Sequence, residues 1–275
     1  MENMQDVISN WNNLNEEQKN IAKNQLNFLP KDYEKPKSSA AEFLDTFGWV
    51  KIENFISPEL SKILYTHTLY SVKRLEHIEN NLNIKNYDKG LWGSFDDKQV
   101  PGAYSRYGDP IFDTLLFDSL NKIEYLTHKK LIPTYSYYRV YVKNNDLKKH
   151  IDRPECAISL TMNLGFNISN VDPNVYPDYN WPIFVSGFKK DEILPIRLNP
   201  GDMLIYKGNF LEHWRDEFKG INHSQVFLHY VEKNKENENK MFDGRYTLGL
   251  PKDLIFSKEK TNNLIVDDKS YKKVY

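Results

Sequence analysis

Between residues 131 and 232 the chain alternates short runs of β-branched and aromatic residues with turns, and this rhythm restricts its fold more than any other feature. Residues 135–142 (Tyr-Ser-Tyr-Tyr-Arg-Val-Tyr-Val) and 156–164 read as strands. Leu198-Asn199-Pro200-Gly201-Asp202 is a turn that leads into a third apolar run, residues 203–206. A region of this kind builds a sheet-rich core and places polar residues at strand ends, where a rigid sheet can aim them.

Two such places carry chemistry. In His150-Ile151-Asp152, side chains at i and i+2 of an extended segment point to one face. His213, in Leu-Glu-His-Trp, follows the third strand and can join them. A His-x-Asp pair alone is unremarkable in a chain with seven histidines. With a second histidine on the same face, two imidazoles and one carboxylate leave the opposite positions of a metal ion open. That arrangement suits non-haem Fe(II) that must also hold a co-substrate and O2.

Tyr141, Leu147, His150-x-Asp152, the Pro200-Gly201-Asp202 turn and His213, in that order, resemble the core of the Fe(II)/2-oxoglutarate-dependent oxygenases, in the prolyl-hydroxylase-like or phytanoyl-CoA-dioxygenase-like branch. Residues 42–57 are similar to the helix, strand and helix start that precede that core, so the resemblance spans roughly residues 40–232. It implies an α+β chain with a mainly β core, a double-stranded β-helix (jelly roll, cupin-like) with supporting N-terminal helices. It also implies Fe(II) on His150, Asp152 and His213, with 2-oxoglutarate and O2 as co-substrates. Tyr141 and Ser159 match residues that hydrogen-bond 2-oxoglutarate. No catalytic side chain is required beyond the metal ligands, and the implied reaction is hydroxylation of a C–H bond in a small molecule or peptidyl residue.

The chain departs from the family pattern at the cation for the far carboxylate of 2-oxoglutarate. That cation usually lies about ten positions after the distal histidine, where this sequence has Asn222-His223-Ser224-Gln225. A carboxylate buried without a partner is costly, so another cation must serve. Arg139, on one strand face with Tyr141, is the first choice, followed by His223, Arg215 and Lys207. Asp152 is retained where resembling halogenases have Ala or Gly, which favours hydroxylation. Arg153 and Trp181 are candidates for substrate contact. Two other readings stay open: a cupin-like dioxygenase or metal-binding protein that uses no 2-oxoglutarate, and a catalytically silent barrel that acts as a binding module.

At 275 residues the frame is one main domain: a helical extension over residues 1–39, the oxygenase domain over 40–232 and a C-terminal extension over 233–275. A net charge of -1 offers no basic footprint for nucleic acid. One cysteine, Cys156, excludes an intrachain disulfide framework. Without an apolar N-terminal leader or a run of membrane-spanning length, a cytoplasmic protein with no membrane partner is expected. Short amphipathic helices are expected over residues 5–29. Ser57-Pro58-Glu59 opens a long helix to about residue 79, residues 80–109 read as loop, and residues 109–130 read as one helix. The C-terminal extension either folds back on the core or mediates contacts in a homodimer.

Overall fold

The computed structural model describes residues 39–80, 89–186 and 193–251. The expected helices over residues 5–29 fall outside the described residues. In chain order the strands are β1 (Trp49–Ile52), β2 (Tyr104–Tyr107), β3 (Leu131–Val142), β4 (Leu147–His150), β5 (Ile158–Asn167), β6 (Ile183–Ser186), β7 (Ile193–Ile196), β8 (Met203–Tyr206), β9 (His213–Arg215) and β10 (Asn222–Glu232). The helices are α1 (Ser39–Phe47), α2 (Pro58–Asn80), α3 (Lys89–Trp92), α4 (Pro110–Asp118) and α5 (Leu120–Thr127). Six strands pair in the order β1-β8-β5-β10-β3-β2 and four in the order β4-β9-β6-β7, giving the two antiparallel sheets of a double-stranded β-helix in an α+β chain.

Alternation along the strands assigns the two faces of the large sheet. Ile158, Leu160, Met162 and Leu164 of β5, with Val226, Leu228 and Tyr230 of β10, pack with Leu64, Leu75, Phe112 and Leu116 of the helices. The intervening residues turn to the barrel interior: Ser159, Thr161 and Asn163 on β5, and His223, Gln225, Phe227 and His229 on β10. On β3 the inner set is Tyr137, Arg139 and Tyr141. The helices therefore cover an apolar face, while the interior of the barrel is rich in polar groups. The other end of the interior is apolar, built from Ile183, Val185, Ile196, Leu198, Leu204, Tyr206 and Leu211.

α2 begins as its sequence dictates, with Ser57 Oγ accepting from Leu60 N at 3.2 Å and Pro58 in the first turn. It buries Ser61, Leu64, Thr68, Ser71 and Leu75, a stripe at helical spacing. The Tyr65 ring of α2 lies where a Cβ on Gly165 of β5 would stand, so glycine lets helix and sheet approach. Two expectations are corrected. Residues 109–130 form two helices broken at Ser119, which caps the first with its backbone N–H on Leu115 O and Phe117 O. The stretch taken as loop contains α3 and the edge strand β2, which pairs with β3 from Tyr104↔Val140 to Tyr107↔Tyr137.

After β10 the chain turns back onto the barrel through a 3-10 segment, Glu238–Gly244. Arg245 is buried and donates from Nη1 to Asp113 Oδ2 of α4 at 2.7 Å. Asp113 also accepts from Ser136 N, Ser136 Oγ and Gly249 N. Among the described residues no helix is long and apolar enough to cross a membrane.

Candidate metal centre

His150 ends β4 and His213 begins β9, and the two are cross-strand partners in the small sheet. The registers Leu147↔Arg215 and His150↔His213 leave one more residue on β4 than on β9. This bulge lets both Leu147 and His150 face inward while Lys148 and Lys149 face solvent. Beyond it, Asp152 is held by its N–H on Gly208 O at 2.8 Å. Ligand atoms of His150, Asp152 and His213 all lie within 4.8 Å of one another. The two Nε2 atoms stand 3.6 and 3.5 Å from Asp152 Oδ1.

Each ring's Nδ1 faces a backbone carbonyl: Lys148 O at 2.7 Å for His150 and Leu211 O at 3.0 Å for His213. A carbonyl can only accept, so Nδ1 carries the proton and the Nε2 lone pairs point at the carboxylate. Three electron-pair donors converging in this way repel one another unless a cation lies between them, and the donor set is the one suited to non-haem iron.

A layer of supporting groups fixes Asp152. Ser159 Oγ donates to Asp152 Oδ2 at 2.7 Å and is itself 3.0 Å from His229 Nδ1. Ser159, expected to contact co-substrate, is thus committed to the ligand. Asp152, Cys156 and His229 form a second cluster of potential metal ligands. Burial pushes the Cys156 thiol up to about 12 and His229 down to about 4, so the thiol stays protonated and the ring neutral. Sequence reasoning missed Gly208. A Cβ there would run into Asp152 Oδ2, Ser159 Oγ and Cys156 O. Gly208→Ala is expected to weaken metal binding about 10–100-fold, the range for disturbed outer partners of a ligand. Metal titration of the variant checks this, and an unchanged affinity would remove Gly208 from the site.

The metal-facing atoms open onto a cavity of about 200 Å³ whose wall includes Tyr137, Arg139, Leu147, Tyr206 and Phe227. Arg139 reaches this wall with its charge already matched. Nε and Nη2 bind Asp97 Oδ2 at 2.6 Å, Nη2 donates to Gln99 Oε1 at 2.9 Å and Nη1 to Tyr141 OH at 2.9 Å. Asp97 Oδ1 in turn accepts from the backbone N–H of Gln99 and Val100, so the pair pins this loop over the cavity. Arg153, expected to contact substrate, is bound to Asp243 at 2.9 Å and stacks on Tyr135, a residue of the cavity wall. Trp181, the other expected substrate contact, is buried in the core, with Nε1 on Asp216 O and its ring against Tyr141, Phe218 and His223.

Of the remaining expected cations, His223 is pushed down to about 3 by burial and by the nearby Arg215 charge, and its Nε2 lies 2.9 Å from Gln225 Oε1. It is therefore neutral at physiological pH. Arg215, two residues after His213 on β9, is 2 % exposed. Its Nη1 donates to Trp181 O at 2.9 Å, while Nε and Nη2 find no acceptor among the described residues. Burial lowers its pKa to about 10, which still leaves the guanidinium charged near neutrality.

No family model matches the chain, and no curated protein matches it. Solved structures do. A prolyl-4-hydroxylase from Pseudomonas putida superposes with a TM-score of 0.50 at 12 % identity, over 71 % of this chain and 98 % of its own. HygX from Streptomyces hygroscopicus, solved with nickel and 2-oxoglutarate bound, gives 0.50 at 11 % identity, over 72 % and 88 %. AviO1 from Streptomyces viridochromogenes gives 0.50 at 13 % identity, over 72 % and 95 %. The chain has the fold of the Fe(II)/2-oxoglutarate oxygenases.

Proposed function

We propose that this protein is a non-haem Fe(II)- and 2-oxoglutarate-dependent dioxygenase that hydroxylates a C–H bond of a small molecule or peptidyl residue. The reaction is R–H + 2-oxoglutarate + O2 → R–OH + succinate + CO2. The observation that carries this reading is the convergence of His150 Nε2, His213 Nε2 and an Asp152 carboxylate oxygen, each ring turned by its own carbonyl, at the wall of a cavity. HygX, of the same fold, holds nickel and 2-oxoglutarate.

Bound on these three ligands, iron would supply the O2 activation that no side chain can perform. The protein's share is orientation and exclusion of water. Ser159 and Gly208 fix Asp152, and the Nδ1 carbonyl contacts fix both imidazoles. The loop pinned by Asp97 and Arg139 covers one side of the cavity, whose aromatic rings, Tyr135, Tyr137 and Phe227, leave space for a substrate of modest size. No general acid or base is needed.

The competing reading, a dioxygenase of the same barrel that uses no 2-oxoglutarate, draws on the neutral His223 near the usual position of the cation. Anaerobic addition of 2-oxoglutarate to the Fe(II)-loaded protein separates the two. A visible charge-transfer band, followed in air by formation of succinate, is expected. Bound iron with neither signal would overturn the 2-oxoglutarate reading in favour of its competitor.

A further inference from the structure

Among the described residues, Arg215 is a buried cation in the barrel with no carboxylate paired to it. Arg215 lies on the inner face with His213, because residues i and i+2 of a strand share a face. Its cross-strand partner is Leu147, which lines the cavity together with His213 and Tyr206. Arg215 thus stands beside a residue of the cavity wall. Its Cζ lies over the Trp181 ring, 4.7 Å from the centroid, and Nη1 is bound to Trp181 O. Nε and Nη2 are left over.

A guanidinium cannot shed its charge as a lysine can, and its five donors suit a carboxylate's two oxygens. Burying it with two unused donors is unfavourable, and such groups in native structures call for an explanation. The other candidate cations near the cavity are engaged: Arg139 by Asp97, and Arg153 by Asp243 and Glu155. His223 forms its bond with Gln225. No carboxylate of the described residues forms an ion pair with Arg215; its polar neighbours include the phenols of Tyr141, Tyr206 and Tyr179 and the neutral His223 ring.

We infer that Arg215 is the anchor for the far carboxylate of a dicarboxylic keto acid whose other end lies at His150, Asp152 and His213. This rests on the 2-oxoglutarate reading above, and it moves the anchoring charge from the strand after the distal histidine to the histidine's own strand. The site then selects for a second carboxylate, since a monocarboxylate would leave Arg215 as it stands, buried and unpaired.

The test is binding, without turnover, to the full chain loaded with Ni(II). The affinities of 2-oxoglutarate and 2-oxobutyrate, which has the same keto-acid head and no second carboxylate, are measured by calorimetry. The wild type is expected to prefer 2-oxoglutarate by about 100-fold, the scale of charge-assisted hydrogen bonds. Arg215→Met should reduce the preference to a few-fold by losing affinity for 2-oxoglutarate alone, and Arg215→Gln should do the same with less change in polarity. Metal-free Arg215→Met should melt no lower than wild type, because it removes an unpaired buried charge. A retained preference in both variants would overturn the inference, as would its loss in Arg139→Met with Arg215 intact. Failure of the wild type to bind either keto acid would instead overturn the 2-oxoglutarate reading on which it rests.

Discussion

His213→Ala is expected to abolish stable iron binding, and His150→Ala to do the same, while far-ultraviolet circular dichroism of both variants stays close to wild type. Loss of a direct ligand must exceed the roughly 10–100-fold that outer partners carry. The fold should persist because it rests elsewhere. The large apolar core lies between the helices and the six-stranded sheet, and none of its residues is a ligand. His213 is nearly buried at 2 % exposure and its loss leaves a gap, whereas His150 sits at the cavity rim with a side chain 24 % exposed and is the milder change. Metal content per chain after reconstitution with Fe(II), read for both variants, is the decisive number. Full occupancy in both would dismiss the triad.

The largest loss of stability is expected away from the metal, for Arg245→Met. Asp113 and Arg245 are each 1 % exposed at the side chain, and their ion pair of 2.7 Å joins α4 to the segment after β10. Removing one member strands the other's charge in the interior, which costs about 3–5 kcal/mol. For a protein of this size that is a fall of roughly 10 °C in melting temperature. Thermal unfolding of the metal-free variant against wild type measures it, and a change below about 1 kcal/mol would mean that solvent reaches Asp113. Ser136 N, Ser136 Oγ and Gly249 N would remain on the carboxylate, so part of its charge stays solvated by the protein.

The parts of this molecule that were legible in the sequence are those whose signals are local. The β-branched and aromatic runs became β3, β5 and β8, and Ser57-Pro58 opened α2, because propensity, alternation and capping act within a few residues. His150, Asp152 and His213 could be grouped because strand periodicity fixes where side chains point. The misreadings share the opposite cause. β2 is four residues long and becomes a strand by pairing with β3. The break at Ser119 has no glycine or proline to announce it. Arg139 shares a strand face with Tyr141, yet its charge is matched by Asp97, 42 residues earlier, a partner that strand periodicity cannot reveal. Gly208 matters only because Asp152, Cys156 and Ser159, about fifty residues earlier in the chain, converge on the point where a side chain would be. Arg215 becomes conspicuous by what fails to approach it, a property of the assembled barrel alone.

The extra residue in β4 has a consequence for which changes the site can accept. Lys148 and Lys149 project into solvent, so the identity of either is free to change. Deleting one would restore the even register against β9, with Leu147 still opposite Arg215 and the histidine still opposite His213. Residues i and i+2 of a regular strand share a face, so the imidazole would keep its side of the sheet. What the extra residue sets is the reach of the ring, whose Nδ1 rests on the Lys148 carbonyl inside the bulge. A related sequence one residue shorter there would hold the same three ligands on the same face.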